Sequence, residues 1–472
     1  MLAWSTAASL IVAFVAVATA QRPRKDEVRA HQLEAAERWN RQVPLNIVPR
    51  STSNITFSNP TAAEYYVDGT ALPEVDWDVG PSWAGLMPIS GNTNETRKLF
   101  FWYFPPGPEG SYEDLVFWTN GGPGCSSLEG FLQENGPISW KWGQAKPTQN
   151  EYSWTNLSHV LWVEQPVGTG FSQGTPDITN EDELAAQLVG FLQQFLEVFE
   201  ELKGKKFYVT GESYAGYYVP YIANYIYENP EALDLSLQGI WIGDPVIGYD
   251  IVQDQIPAAY FVRKYTNVFA FTDNFTEELN ELDAACGYTE YLNTYLQYPP
   301  DGPLPFLWNN TWADAGCDLW DSIYNESLIK NPAFDVYHIF DTPPLLWSVL
   351  GFPQSDDGLP IYFDRLDVKE AIHAPVYVNW TDCSTVNVFP DGDSSLPSAM
   401  SVLPNVIEKS NRSVIVHGLA DYVLIAEGRN GLQGFQTEPQ NDSLILEGMG
   451  AMGTSHTERG FTYIEVKLSG HM

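Results

Sequence analysis

A chain of 472 residues with 24 Lys and Arg against 60 Asp and Glu carries a formal charge of −36, which repels phosphate backbones and argues against nucleic acid as a partner. A hydrophobic share of 44%, with no low-complexity tract or repeat, excludes a disordered chain, and the length fits one large domain carrying an insertion. The acids are dispersed rather than blocked, which fits solubility in an acidic environment better than an acidic binding tail.

Residues 1–20 hold an apolar run from Leu10 to Val17 and then Ala18-Thr19-Ala20, the small-x-small pattern of a cleaved signal peptide. The run is too short to span a bilayer comfortably, so no membrane association is expected after cleavage. Residues 21–65 read as an N-terminal extension or a removable pro-segment. Nine Asn-x-Ser/Thr sequons, at Asn54, Asn94, Asn156, Asn274, Asn309, Asn325, Asn379, Asn411 and Asn441, agree with the secretory route. Secretion is the first expectation for the destination, and a vacuole- or lysosome-like compartment is the alternative. Four cysteines allow three pairings, and none lies in a Cys-x-x-Cys pair, which argues against zinc or redox chemistry. No metal and no cofactor is expected.

From about Val67 the alternation of apolar and aromatic residues, as in 99–104, predicts opening antiparallel strands. Short apolar runs at 115–118, 159–163, 207–210 and 240–242 then read as buried parallel strands. Between two of them, residues 182–202 place Leu184, Leu188, Phe191, Leu192, Phe195, Val198 and Phe199 at helical spacing. Strands alternating with helices predict an α/β fold with a mixed, mostly parallel sheet. That pattern covers 66–248, breaks at 249–360 into an aromatic-rich inserted cap, and returns in 361–472 with strands at 414–416 and 461–466.

Two motifs carry chemistry. Gly211-Glu212-Ser213-Tyr214-Ala215-Gly216 lies between a strand and a helix, the setting of a nucleophile elbow, although its fifth position is Ala215 rather than glycine. The glycine-rich run 120–125, also after a strand, exposes backbone N–H groups of the kind that face an oxyanion, and equally fits an ordinary tight loop.

Trp118-Thr119-Asn120-Gly121-Gly122-Pro123-Gly124-Cys125-Ser126-Ser127, residues 163–172, the elbow, and Ser469-Gly470-His471-Met472 together resemble the serine carboxypeptidase family, over roughly residue 66 to the end. The resemblance implies an α/β-hydrolase fold and a triad in chain order: Ser213 as nucleophile, Asp421 as the orienting acid, His471 as general base. His417, at a strand end, and His456, in a polar loop, are the competing histidines, and Asp382 and Asp391 the competing acids. It also implies an oxyanion hole from the N–H groups of Gly122 and Tyr214. Recognition of the substrate's free carboxylate falls to Asn120, Glu212 and Glu134, shaped by Trp118 and Gly121, with Met472 in the substrate pocket. Two glutamates can meet a carboxylate when protons are shared, which favours acid pH. The disulfides it implies are Cys125 with Cys383 and Cys286 with Cys317. Peptide or protein C-termini are the implied partners, cleaved through an acyl-enzyme. Acyl transfer or ester hydrolysis by the same site is the alternative, and an inactive glycoprotein of the same fold the third. The oligomeric state is not legible.

Two departures bear on activity. The segment after Gly428 lacks the family's Asn-x-x-Trp element, and the sequence stops at Met472, one residue past the proposed base. A truncated or mis-joined chain is the expectation drawn from this, with His471 poorly anchored and activity low.

Overall fold

The computed structural model describes residues 55–298, 305, 316–341, 348–351, 360–429, 442–446 and 450–471. The expected signal peptide, most of the N-terminal extension and Met472 lie outside these residues.

The chain begins its sheet with β1 (Tyr66–Val67), β2 (Ser82–Pro88), β3 (Lys98–Phe104) and β4 (Ser111–Thr119). A small hairpin, β5 (Ile138–Ser139) with β6 (Thr148–Gln149), stands apart. The sheet continues through β7 (Ser158–Glu164), β8 (Lys206–Glu212), β9 (Ser236–Gly243), β10 (Arg412–Gly418), β11 (Asp442–Leu446), β12 (Gly450–Glu458) and β13 (Phe461–Val466). Among the described residues the main sheet has 11 strands in the order β1-β2-β3-β7-β4-β8-β9-β10-β13-β12-β11. The run from β7 to β13 in that order is parallel, and the flanks are antiparallel. The central strands read as near-continuous apolar runs because both faces are covered: β7 is buried at every position.

On one face, helices α2 (Glu181–Val198) and α3 (Ala215–Glu228) close a core containing Phe101, Phe117, Phe195, Val209 and Ile242. Helix α1 (Ser127–Gln133) and residues 361–380 close the other, over Phe100, Trp102, Trp118 and Trp162. Asn180 caps α2 by accepting from the Glu183 N–H at 3.0 Å, and three acids in the first turn suit the positive end of the helix dipole. The helix ends at Val198, short of the periodic pattern, because Phe199 turns out of helical geometry to bury its ring against Phe195 and Phe57.

Between β9 and β10 the chain builds a third core from helices at Ile256–Lys264, Asp273–Cys286, Tyr288–Tyr295 and Leu319–Lys330. The Cys286–Cys317 disulfide lies within it, and Ala420, Tyr422 and Ile425, which follow β10, belong to it too. Residues 361–411, assigned by sequence to the second part of the hydrolase core, add no strand to the main sheet among the described residues; the sheet resumes at Arg412. His456 lies in β12, almost buried, rather than in a polar loop.

Helix α2 passes so close to β2's end that a Cβ on Gly190 would stand 2.1 Å from the Ile89 carbonyl oxygen. In an open helix Gly→Ala stabilises by about 1 kcal/mol. Here the methyl must displace backbone, a cost of about 1–3 kcal/mol. Gly190→Ala is therefore expected to lower the melting temperature, and thermal denaturation followed by circular dichroism checks the sign.

Candidate active site

Ser213, Asp421 and His471 stand past the carboxyl ends of β8, β10 and β13, residues 118–122 lie at the end of β4, and Glu134 closes helix α1. Ser213 follows β8 with φ 61, a left-handed conformation that non-glycine residues rarely adopt and that marks a constrained turn. Its N–H donates to the Gly243 carbonyl at 3.0 Å, and its own carbonyl accepts from Val246 at 2.8 Å, so the end of β9 fixes the elbow. Alanine at the fifth position is tolerated because it faces a glycine: a Cβ on Gly211 would lie only 2.7 Å from the Ala215 methyl.

The glycine-rich turn after β4 lies directly against the elbow. A Cβ on Gly121 would come within 2.3 Å of the Tyr214 nitrogen and 3.0 Å of the Ser213 Cβ. Neither the Gly122 nor the Tyr214 N–H finds an acceptor among the described residues. The Cys125–Cys383 disulfide ties this turn to the segment where the Ser126 N–H donates to the Asp382 carbonyl at 2.7 Å. Both expected disulfides are thus formed.

Asp421 sits in the turn after β10, fully buried, and its Oδ1 accepts from the N–H groups of Val423 (2.8 Å) and Leu424 (3.1 Å). Its Oδ2 lies 2.7 Å from His471 Nδ1. The neighbouring backbone is pinned from β13, with Leu419 N–H donating to Val466 and Ala420 N–H to Ser469. The insertion pins it from outside: Tyr422 N–H donates to Val336, and Trp320 stacks on Tyr422 at 5.2 Å. His471 is held in the same way, its N–H donating to Tyr337 at 2.8 Å while the Tyr337 ring packs 5.3 Å away. The expectation that His471 lacks an anchor is therefore corrected, because its hold comes from residues 336–338 across the site rather than from its own strand. Of the competing residues, Asp391 is exposed, the Asp382 backbone is engaged with the disulfide loop, and His417 is buried behind Asp421.

A chain of acids faces the elbow. Asn120 Oδ1 accepts from Trp118 Nε1 at 2.7 Å and from the Gly130 N–H at 3.2 Å, which fixes its amide and turns Nδ2 toward Glu212 Oε1 at 2.7 Å and Glu134 Oε1 at 3.4 Å. Burial and the Glu134 charge push the Glu212 carboxyl well above its usual range. Burial pushes Glu134 up to about 7 against the opposing pull of Glu212, Asn120 and His471. Two carboxyls held on one amide and both raised favour sharing a proton. Sequence reasoning missed two further members. Glu129, in the first turn of α1, is raised by burial and by Asp382 and Glu134, and Asp382 is pushed up to about 7 by burial. Glu129 stands three residues after the helix cap Ser126, a spacing that reads as a cap rather than as part of a site.

Asp244, His417 and Asp421 bring potential metal-ligand atoms within 4.8 Å of one another. Those atoms already serve hydrogen bonds to backbone groups, including Gly418 N–H on Asp244 and Leu424 C=O on His417, which a cation would have to displace. The six sequon asparagines within the described residues, Asn94, Asn156, Asn274, Asn325, Asn379 and Asn411, are all exposed, while Asn54, Asn309 and Asn441 lie outside them.

A profile of the serine carboxypeptidase family matches residues 73–472. The chain belongs to the serine carboxypeptidase family. It is 44% identical over 448 residues to a probable serine carboxypeptidase of Arthroderma benhamiae, covering 88% of this chain and 84% of that one. It is 41% identical over 456 residues to serine-type carboxypeptidase F of Aspergillus niger, covering 88% and 85%. Among solved structures, a prohormone-processing carboxypeptidase from Saccharomyces cerevisiae superposes with a TM-score of 0.66 at 22% identity, over 87% of this chain and 92% of that one, a likeness of fold. The family's α/β-hydrolase architecture is the one described above. No helix among the described residues is long and apolar enough to cross a membrane.

The raised carboxyls have a consequence for stability. Glu134, Glu164 and Asp382 move from 4.5, 4.5 and 3.8 up to about 7, chiefly by burial, so the folded protein holds protons that the unfolded chain has released. Stability is then greatest below the unfolded values and falls as pH rises through about 7. Glu95, held down to about 2 beside Arg97, acts in a separate window and loses its contribution only as pH falls from 4.5 toward 2. The melting temperature is expected to be several degrees higher at pH 5 than at pH 8, as calorimetry across that range will register.

Proposed function

We propose that the chain is a serine-type carboxypeptidase that releases the C-terminal residue of peptides through an acyl-enzyme and works best at acid pH. The substrate carboxylate meets the Asn120 amide and the protonated member of the Glu134–Glu212 pair. This places the last peptide bond over Ser213, with its carbonyl oxygen between the N–H groups of Gly122 and Tyr214. Because Asp421 engages Nδ1 of His471, Nε2 is the nitrogen that takes the Ser213 proton as Oγ bonds to the carbonyl carbon. The same proton passes to the leaving nitrogen when the C–N bond breaks, and the free amino acid departs. Water then attacks the ester, giving its proton to His471, and Ser213 is regenerated.

The observation that supports this reading most is the hydrogen-bonded set Asn120, Glu212 and Glu134 beside the elbow. An amide and a shared proton offer donors to a carboxylate, and an ester or an amidated terminus cannot use them in the same way. Passage through the secretory route to an acidic compartment or medium is part of the proposal, supported by the two disulfides and the exposed sequons.

Ser213→Ala is expected to abolish both peptide cleavage and labelling by a serine-directed phosphonate, in a protein that melts as before. With native Ser213, a peptide with a free C-terminus is expected to be cleaved about 10- to 100-fold faster than its amide, from the loss of one charge-assisted recognition site. Equal rates would instead point to an esterase or acyltransferase.

Binding requires the shared proton, so the sign of the pH effect is fixed. At acid pH the pair is protonated and KM is low; as pH rises through the pair's titration, KM climbs. Glu134→Gln and Glu212→Gln replace the titrating donor by an amide and are expected to flatten that climb. Steady-state kinetics between pH 4 and 8 measure it, and a KM independent of pH in the native enzyme contradicts the assignment.

A further inference from the structure

His417 is a buried histidine that the reaction described above does not use. It ends the apolar stretch of β10, fully enclosed, four residues before Asp421. Its Nε2 lies 2.5 Å from the Leu424 carbonyl oxygen and 3.4 Å from Asp244 Oδ1. Both neighbours are acceptors, so Nε2 carries a proton.

Asp244 is itself held tightly. It follows β9 with φ 36, its N–H donates to the Val416 carbonyl at 2.8 Å, and its Oδ1 accepts from the Gly418 N–H at 2.8 Å. A carboxylate at the end of one strand thus grips the end of the next and faces the imidazole between them. Beyond the imidazole stands the turn from Asp421 to Leu424. Leu424 receives the His417 proton at its carbonyl and directs its N–H to Asp421 Oδ1. The other Asp421 oxygen is the one that meets His471.

Burying an imidazole is costly unless its polar atoms are satisfied, and an aliphatic side chain would fill the same volume without that cost. An aliphatic residue would, however, leave the Leu424 carbonyl without this donor inside a buried turn. We propose that His417, oriented by Asp244, is a positioning residue for the reaction: its Nε2–H fixes the Leu424 peptide, so that the turn presents the Asp421 carboxylate in line with His471 Nδ1. The triad is thereby backed by a second carboxylate–imidazole pair one layer deeper. This inference rests on the reading of Asp421 and His471 as the reacting pair.

The test compares two amides of different reach in the full chain. His417→Gln carries a donor that reaches the Leu424 carbonyl; His417→Asn carries the same group one methylene short. With a peptide bearing a free C-terminus, His417→Asn is expected to lower kcat by about 10- to 100-fold, as misplacement of a catalytic group does, with KM within about twofold. His417→Gln is expected to restore most of that loss. Phosphonate labelling of Ser213 should slow in parallel in the Asn variant. The low-field proton resonance of the Asp421–His471 hydrogen bond should move in the Asn variant and hold in the Gln variant. Equal kcat in the two variants, or an unmoved resonance in folded His417→Asn, overturns the proposal. Should His417→Asn fail to melt cooperatively, Asp244→Asn decides. It keeps an acceptor for Gly418 but weakens the grip on the imidazole, so a several-fold fall in kcat at constant KM supports the proposal and an unchanged kcat overturns it. Failure of the underlying reading looks different: Ser213→Ala or Asp421→Ala would then remain active.

Discussion

The parallel pairing of β9 with β10 and of β10 with β13 is the constraint on which the active edge depends. It places the ends of three strands side by side, so that the Asp244 carboxylate reaches the Gly418 N–H at the end of the next strand and the Asp421 carboxylate meets the His471 ring. Val416 pairs with Gly243 on one side and Ile464 on the other, and every later contact inherits that register. Slipping one strand by a residue would turn its side chains to the opposite face and separate the groups, so the site is an extension of sheet geometry.

The insertion between β9 and β10 takes part in this edge. Tyr422, one residue past Asp421, belongs to the apolar core of the inserted helices and is stacked and hydrogen-bonded to Trp320. The backbone of 336–338 accepts from Tyr422 and His471. Sheet and insertion therefore clamp the Asp421–His471 pair from opposite sides, which immobilises an imidazole that its own strand alone would not hold.

Electrostatically, the site concentrates what the composition spreads over the surface. A net charge of −36 is tolerable where carboxylates are partly protonated, and the buried Glu212 with the half-buried Glu134, Glu129 and Asp382 carries the same requirement inward. Desolvation and mutual repulsion favour the neutral acids, and neutral acids donate hydrogen bonds. One physical condition, acid pH, thus relieves the chain's self-repulsion and favours its folded state.

Much of this was legible in the sequence, because the signals are local. Apolar runs of strand length, the helical spacing from Leu184 and the glycine-rich turns at 120–125 and 211–216 are short-range patterns, and each forms the element that its pattern implies, the helix stopping at Val198. The order of Ser213, Asp421 and His471 came from the resemblance to the serine carboxypeptidase family. Tertiary structure alone decided the rest. The sequence made His417 a rival base, yet packing puts it behind Asp421. It gave no role to Glu129, and a loop from far along the chain brings Asp382 beside it. It left His471 near a chain end without support, and residues 336–338 supply it. A residue's proton affinity and anchorage depend on which groups are desolvated together, and that is fixed by contacts between segments far apart in the chain, which no local pattern encodes.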